Sequence, residues 1–235
     1  MQLKGKTVVV TGGSDGIGKH ICLKLAAQGC KLAILGRDPD RLAATVADCL
    51  SQGAEVTRAY AVDLTDTAVL DTMAHAIIAD FGGIDILINN AGIWHKTGPL
   101  DTIDADILVA TVQTNLIALM QLTRHMLPVL RAQAEGIILN IASKSGVVAQ
   151  AGQSVYTATK YGVRGFTDVL KQDEAGTGVR VAGLYQSGTN TGMFAKAGED
   201  VPNHIFTEPD DLADVVVFML SRPAKLWMHE VRVEI

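Results

Sequence analysis

The chain reads as an α/β protein built on a parallel sheet, and two observations predict this. Short apolar runs alternate with longer amphipathic stretches along all 235 residues, which is the pattern of successive βαβ units. A glycine-rich turn, Thr11-Gly12-Gly13-Ser14-Asp15-Gly16-Ile17-Gly18, joins the first apolar run to the first amphipathic stretch. Hydrophobic residues make up 48% and charged residues 19%, enough to fill a sizeable core and too apolar for disorder. No repeat, low-complexity tract or linker divides the sequence, so one domain over 1–235 is expected.

Strands are expected near 6–11, 31–36, 55–61, 84–89, 135–142, 179–186 and 230–235, and helices near 16–28, 39–52, 66–81, 101–131, 153–174 and 208–221. The first strand is the run Thr7-Val8-Val9-Val10, and the glycine turn opens the first helix. Asp38-Pro39 starts the second helix, with Asp as N-cap and Pro in the first helical position. Glu208-Pro209 and Ser221-Arg222-Pro223 bracket the last helix. The segment 187–206 is long for a connection and has no clear period, which suggests a lid over a pocket.

Charge and composition exclude several classes. The net charge is −5 with a pI near 5.6, and the basic residues are scattered, against affinity for nucleic acid or anionic membrane. Cys22, Cys30 and Cys49 are too few for a disulfide framework and lack metal-site spacing. They read as small buried hydrophobes in a reducing compartment, with no metal expected. No run reaches eighteen apolar residues. The start of the chain carries no apolar leader pattern, so a cytoplasmic location is expected.

Tyr156 and Lys160 are four apart in a helical stretch and share a face. A phenol exchanges protons near neutral pH only if its pKa falls from about 10. An ammonium at ~4 Å and an effective dielectric near 20 favours phenolate by roughly 4 kcal/mol, or about three pKa units. Lys160 is therefore expected to lower the Tyr156 pKa. The glycine turn follows a strand and opens a helix, where glycines let backbone approach a pyrophosphate at the helix start. A rival reading overlaps it: Gly13-x4-Gly18-Lys19-His20 nearly spells a P-loop. His20 cannot supply the hydroxyl that such loops place on magnesium.

Together these residues resemble the short-chain dehydrogenase/reductase family. Thr11-Gly-x3-Gly16-Ile17-Gly18 is similar to its cofactor motif, and Asn89-Asn90-Ala91-Gly92 to the motif that closes its fourth strand. Asn115, Ser143, Tyr156 and Lys160 match its catalytic tetrad in order and spacing. The resemblance covers nearly the whole chain. It implies a doubly wound Rossmann sheet in the order 3-2-1-4-5-6-7, and reversible hydride transfer between a nicotinamide cofactor and a small carbonyl or alcohol substrate. In that scheme Tyr156 is the general acid/base and Ser143 orients the substrate oxygen. Lys160 holds the nicotinamide ribose, and Asn115 positions a water in a proton relay. Gly12, Ser14, Asp15, Gly16, Ile17 and Gly18 would cradle the cofactor, together with Asn89, Ala91 and Gly92. Asp63 and Leu64 would contact the adenine, and Gly188 and Thr191 would lie near the nicotinamide. Where relatives carry Pro-Gly after the sixth strand, this chain has Ser187-Gly188, which leaves the loop path open.

The second strand ends in Gly36-Arg37, without an acid. Arg37 offers a bidentate donor for a 2′-phosphate, so NADP(H) is favoured over NAD(H). Asp38 reads better as an N-cap. Asp15 counts against NADP, because an acid there repels the extra phosphate. Trp94, His95, Val147, Gln150, Met193 and Phe194 are pocket candidates, and His95 reads as a solvated loop residue rather than a second acid/base. A homodimer or homotetramer is expected, pairing through helices 101–131 and 153–174. The alternative is a redox sensor or scaffold that binds dinucleotide without turnover.

Overall fold

A computed structural model describes residues 1–235, apart from the side chain of Asn203. The elements run β1 (Thr7–Thr11), α1 (Gly16–Ala27), β2 (Lys31–Gly36), α2 (Pro39–Ser51), β3 (Val56–Ala61), α3 (Thr67–Phe81) and β4 (Ile86–Asn89). There follow α4 (Ala105–Val112), α5 (Ala118–Arg131), β5 (Gly136–Ile141), α6 (Ser154–Asp173), β6 (Val179–Gln186), α7 (Met193–Lys196), α8 (Pro209–Ser221) and β7 (Glu230–Val233). All seven strands are parallel, in the order β3-β2-β1-β4-β5-β6-β7. This is the doubly wound Rossmann arrangement that the resemblance implies.

Strand residues alternate between two cores because successive side chains point to opposite faces. Val8, Val10, Ile34, Ile86, Ile88, Leu139 and Leu184 pack with Ile21 and Leu25 of α1 and Leu212 and Val216 of α8. Val9, Leu35, Leu87 and Ile138 pack on the other face with Leu70 and Ile77 of α3 and Leu122 and Met126 of α5. Sheet faces covered on both sides explain why the inner strands are continuously apolar. The order reverses at β1, which pairs with both β2 and β4. A crevice opens there at the carboxyl ends, where ligands bind in such sheets.

Most predicted boundaries lie within two residues of the observed ones, and two regions differ. The expected helix 101–131 starts later, at Ala105, because Asp104 caps it by accepting from the Asp106 and Ile107 N–H groups. A π turn at Gln113–Ile117 then separates α4 from α5. The stretch Ala105–Arg131 is the one described helix long and apolar enough to cross a membrane, with mean hydropathy 1.4. Its α5 half packs on β4 and β5 with Leu119, Leu122, Met126 and Leu130 buried, while α4 buries only Thr111. The segment 187–206, expected to be irregular, contains the short helix α7 and a bridge between Thr189 and Thr207.

Candidate active site

A cleft of about 960 Å³ runs along the carboxyl ends of the strands. At one end are Gly12, Ser14, Asp15, Gly16 and Ile17 with Arg37, Asp63 and Leu64. At the other are Ala91, Gly92, Trp94, Ser143, Gln150, Tyr156 and Lys160, roofed by Gly188, Thr191, Met193 and Phe194. The glycine turn is built for close approach. Gly12 has φ 65°, and a Cβ there would lie 3.0 Å from the Ala91 Cα. A Cβ on Gly18 would lie 2.2 Å from the Gly12 carbonyl oxygen, so Gly18 is packed beneath the turn rather than in the cleft.

Asn89, expected to hold cofactor, does not reach the cleft. It is 2% exposed, and its amide donates to Thr123 Oγ1 at 3.0 Å and Asn140 Oδ1 at 2.9 Å, tying β4 to its neighbours. Its neighbour Asn90 lines the cleft and was missed. Asn90 Nδ2 donates to the Thr11 carbonyl at 2.9 Å, while Thr11 Oγ1 accepts from the Asn90 and Ala91 N–H groups. The alternation of strand residues was the available signal: if Asn89 points into the sheet layer, Asn90 faces the turn. Val147, expected in the pocket, packs instead in a small cluster with Leu119, Val163 and Tyr185.

The P-loop reading fails on geometry. Lys19 Nζ pairs with Asp48 of α2 at 2.8 Å and does not line the cleft, and His20 faces Asp210.

Tyr156 and Lys160 come together as the i,i+4 spacing requires, with Lys160 Nζ 5.5 Å from the phenol ring centroid. The expected lowering of the phenol is overturned. Burial pushes Tyr156 up to about 12, with a Ser143 hydrogen bond acting weakly the other way. Burial pushes Lys160 down to about 8. Both residues are 6% exposed or less, and loss of hydration disfavours the charged form of each. The phenol therefore keeps its proton at neutral pH. Lys160 Nζ also lies 3.5 Å from the Ile141 carbonyl.

Asn115 lies on the π turn, a local irregularity that recurs at functional sites. Its Oδ1 accepts from the Ile93 N–H at 2.7 Å and its Nδ2 donates to the Ile93 carbonyl at 2.9 Å. The side chain is thus committed to fixing the loop after Gly92, so a water relay would have to use its main chain. His95 is not a solvated loop residue: it is 3% exposed and both ring nitrogens are engaged.

The loop roofing the cleft is latched on both sides. Lys196 of α7 and Arg41 of α2 both pair with Asp15 of the glycine turn. Glu199 accepts from Trp94 Nε1 at 2.7 Å and from the Thr97 N–H at 2.5 Å. Burial works against the charged form of Asp15, but Lys196, the Gly16 N–H and Arg41 together hold its carboxyl below the usual range. At Asp63 two hydrogen bonds from Thr65 lower the carboxyl.

A family model for short chain dehydrogenases matches residues 6–202. The chain belongs to the short-chain dehydrogenase family. Among its relatives is a D-beta-hydroxybutyrate dehydrogenase of Cupriavidus necator, 33% identical over 95% of this chain and 93% of that protein. An NADP-dependent 3-hydroxy acid dehydrogenase of Schizosaccharomyces pombe is 30% identical over 94% of this chain and 89% of that protein. A metagenomic short-chain oxidoreductase solved in complex with NADP superimposes with a TM-score of 0.86. It is 30% identical, covering 100% of this chain and 98% of that one. The short-chain dehydrogenases are oxidoreductases that use a nicotinamide cofactor, and the cleft of this chain fits one. The Gly12 cradle would be filled by any Cβ. Gln186 and Ser187 line the cleft, and Gln186 Oε1 and Ser187 Oγ are buried with no hydrogen-bond partner among the described residues. Ser187 stood out in the sequence as part of Ser187-Gly188, whereas Gln186, at the end of β6, did not.

Proposed function

We propose that this short-chain dehydrogenase is an NADP(H)-dependent carbonyl reductase in which Tyr156 is the general acid. One observation carries the reading: Ser143, Tyr156 and Lys160 line one end of a single cleft whose other end is the glycine turn and Arg37. The bound nicotinamide supplies the hydride. The chain's residues do the rest. Tyr156, protonated at neutral pH, donates its proton to the substrate oxygen, and Ser143 hydrogen-bonds the same oxygen. Lys160 brings positive charge to the developing negative one. Gly12, Gly16, Ile17 and Asn90 would hold the pyrophosphate end, Asp63 and Leu64 the adenine, and Gly188 and Thr191 the nicotinamide end.

Arg37 supports NADP(H). It lines the cleft beside Gly36 and has no salt-bridge partner among the described residues, leaving its guanidinium for a 2′-phosphate. Asp15 loses its force as an objection because Arg41 and Lys196 offset its charge. Asp38 is used as the α2 cap, accepting from the Asp40 and Arg41 N–H groups. The NADP in the solved relative points the same way.

The substrate would lie against Trp94, Met193 and Phe194, with segment 187–206 as the substrate loop. The relatives named for hydroxy acids make 3-oxo acids the first compounds to try. Exposed apolar residues on α4 and α6, Val109 at 54% and Val169 at 56%, support a homodimer or homotetramer paired through these helices. A panel of ketones and 3-oxo acids assayed with NADPH and NADH tests the reading. Turnover with NADPH at least tenfold above NADH supports it. Tight cofactor binding without turnover would make the protein a dinucleotide-binding sensor or scaffold instead.

A further inference from the structure

Helix α6, which carries Tyr156, begins without a capping side chain: Gln153 precedes it and makes no side-chain bond to its free N–H groups. Such groups need partners when buried. The Tyr156 N–H finds one far away in the chain, donating to Nε2 of His95 at 3.2 Å. The other ring nitrogen, Nδ1, faces the Lys96 carbonyl oxygen at 2.9 Å. A carbonyl only accepts, so Nδ1 carries the hydrogen. A backbone N–H only donates, so Nε2 presents its lone pair. One neutral tautomer satisfies both neighbours.

The same short loop grips Tyr156 a second time. The Trp94 ring is stacked with His95 at 5.9 Å and meets the Tyr156 ring edge-on at 4.5 Å. Two consecutive residues thus hold Tyr156, one by its backbone and one by its ring. With both nitrogens engaged and 3% exposure, His95 has no lone pair to offer a substrate.

We propose that His95 is a positioning residue: its Nε2 caps α6 from outside the helix and sets where the Tyr156 phenol stands in the cleft. The proposal rests on Tyr156 being the proton donor. Misplacement by about 1 Å is enough to cost up to 10²-fold in rate, so a lost cap acts on kcat rather than on cofactor binding.

Two substitutions separate the two nitrogens. His95→Gln places an oxygen acceptor near the position of Nε2. His95→Asn is shorter, so its amide keeps the bond to the Lys96 carbonyl but leaves the Tyr156 N–H without a partner. The expected result is a kcat within about threefold of wild type for His95→Gln, and roughly tenfold or more lower for His95→Asn, a change of about 1.4 kcal/mol in barrier. NADPH affinity stays within about twofold in both. Amide hydrogen exchange at Tyr156, read without turnover, becomes about tenfold faster in His95→Asn only. Equal losses in both variants, or a Tyr156 amide as protected in His95→Asn as in wild type, overturn the proposal. If the wild-type protein reduces no carbonyl compound, the reading of Tyr156 fails, and the exchange measurement still decides the capping role.

Discussion

Trp94 meets Tyr156 edge to face, ring centroids 4.5 Å apart and planes at 68°, while its Nε1–H is held by Glu199 at 2.7 Å. The roof of the cleft is therefore tied to the wall against which the proton donor rests. Trp94 also contacts Phe194 at 5.2 Å, so one indole joins the loop, the pocket and the phenol.

Glu199 is the acceptor that closes this side. Burial works against its charge, but bonds from Thr97 and Trp94 hold its carboxyl below the usual range. A depressed carboxylate keeps its contribution at neutral and mildly acid pH and loses it as pH falls through the lowered value. Glu199→Gln should raise the substrate KM about five- to tenfold with a smaller change in kcat, because bonds to a charged acceptor are stronger than to a neutral one. Steady-state kinetics across the pH range checks this.

Lys160 sets the alkaline limit. Burial lowers it to about 8, so it is charged below that pH and neutral above it. Carbonyl reduction should hold steady below about pH 8 and decline above it. Lys160→Arg should move the decline beyond about pH 10, since a guanidinium stays charged there. Lys160→Met should remove the limb and lower kcat/KM roughly 10²-fold. The pH profile of kcat/KM is the measurement.

Arg37→Ala should weaken NADPH binding about 10- to 100-fold, the worth of a bidentate charged contact, and NADH less than twofold. Equal losses for both would reject the 2′-phosphate assignment. Fluorescence titration of each cofactor gives the comparison.

Gly18→Ala forces a methyl against the Gly12 carbonyl and Asn90 Nδ2, at 2.2 and 2.5 Å. Overpacking of this kind costs about 1–3 kcal/mol, or a Tm lower by roughly 3–10 °C. It should also distort the cradle and weaken both cofactors together, which thermal melts and the same titrations would show.

Most of this architecture is legible in the sequence because periodicity and punctuation are local. The apolar run Val8-Val9-Val10, the cap at Asp38 and the helical spacing of Tyr156 and Lys160 each depend on a few neighbouring residues. What escaped reading depends on distant ones. Asn89 and Asn90 are chemically alike, and only the sheet decides that one braces β5 and the other the glycine turn. His95 looked like a loop residue until α6 brought an N–H to it. The π turn at Asn115 leaves no compositional mark, and α7 is too short for a period. At Tyr156 the sequence shows the charge of Lys160 one helical turn away, but not how deeply both groups are buried, and it is burial that raises the phenol.

The central claim is that the Tyr156 hydroxyl delivers the proton. Tyr156→Phe keeps the ring that packs on Trp94 and removes only the oxygen. Its kcat for ketone reduction should fall by about 10²–10⁴ while NADPH affinity stays within about twofold. A variant keeping more than about a tenth of wild-type turnover would show that another group supplies the proton.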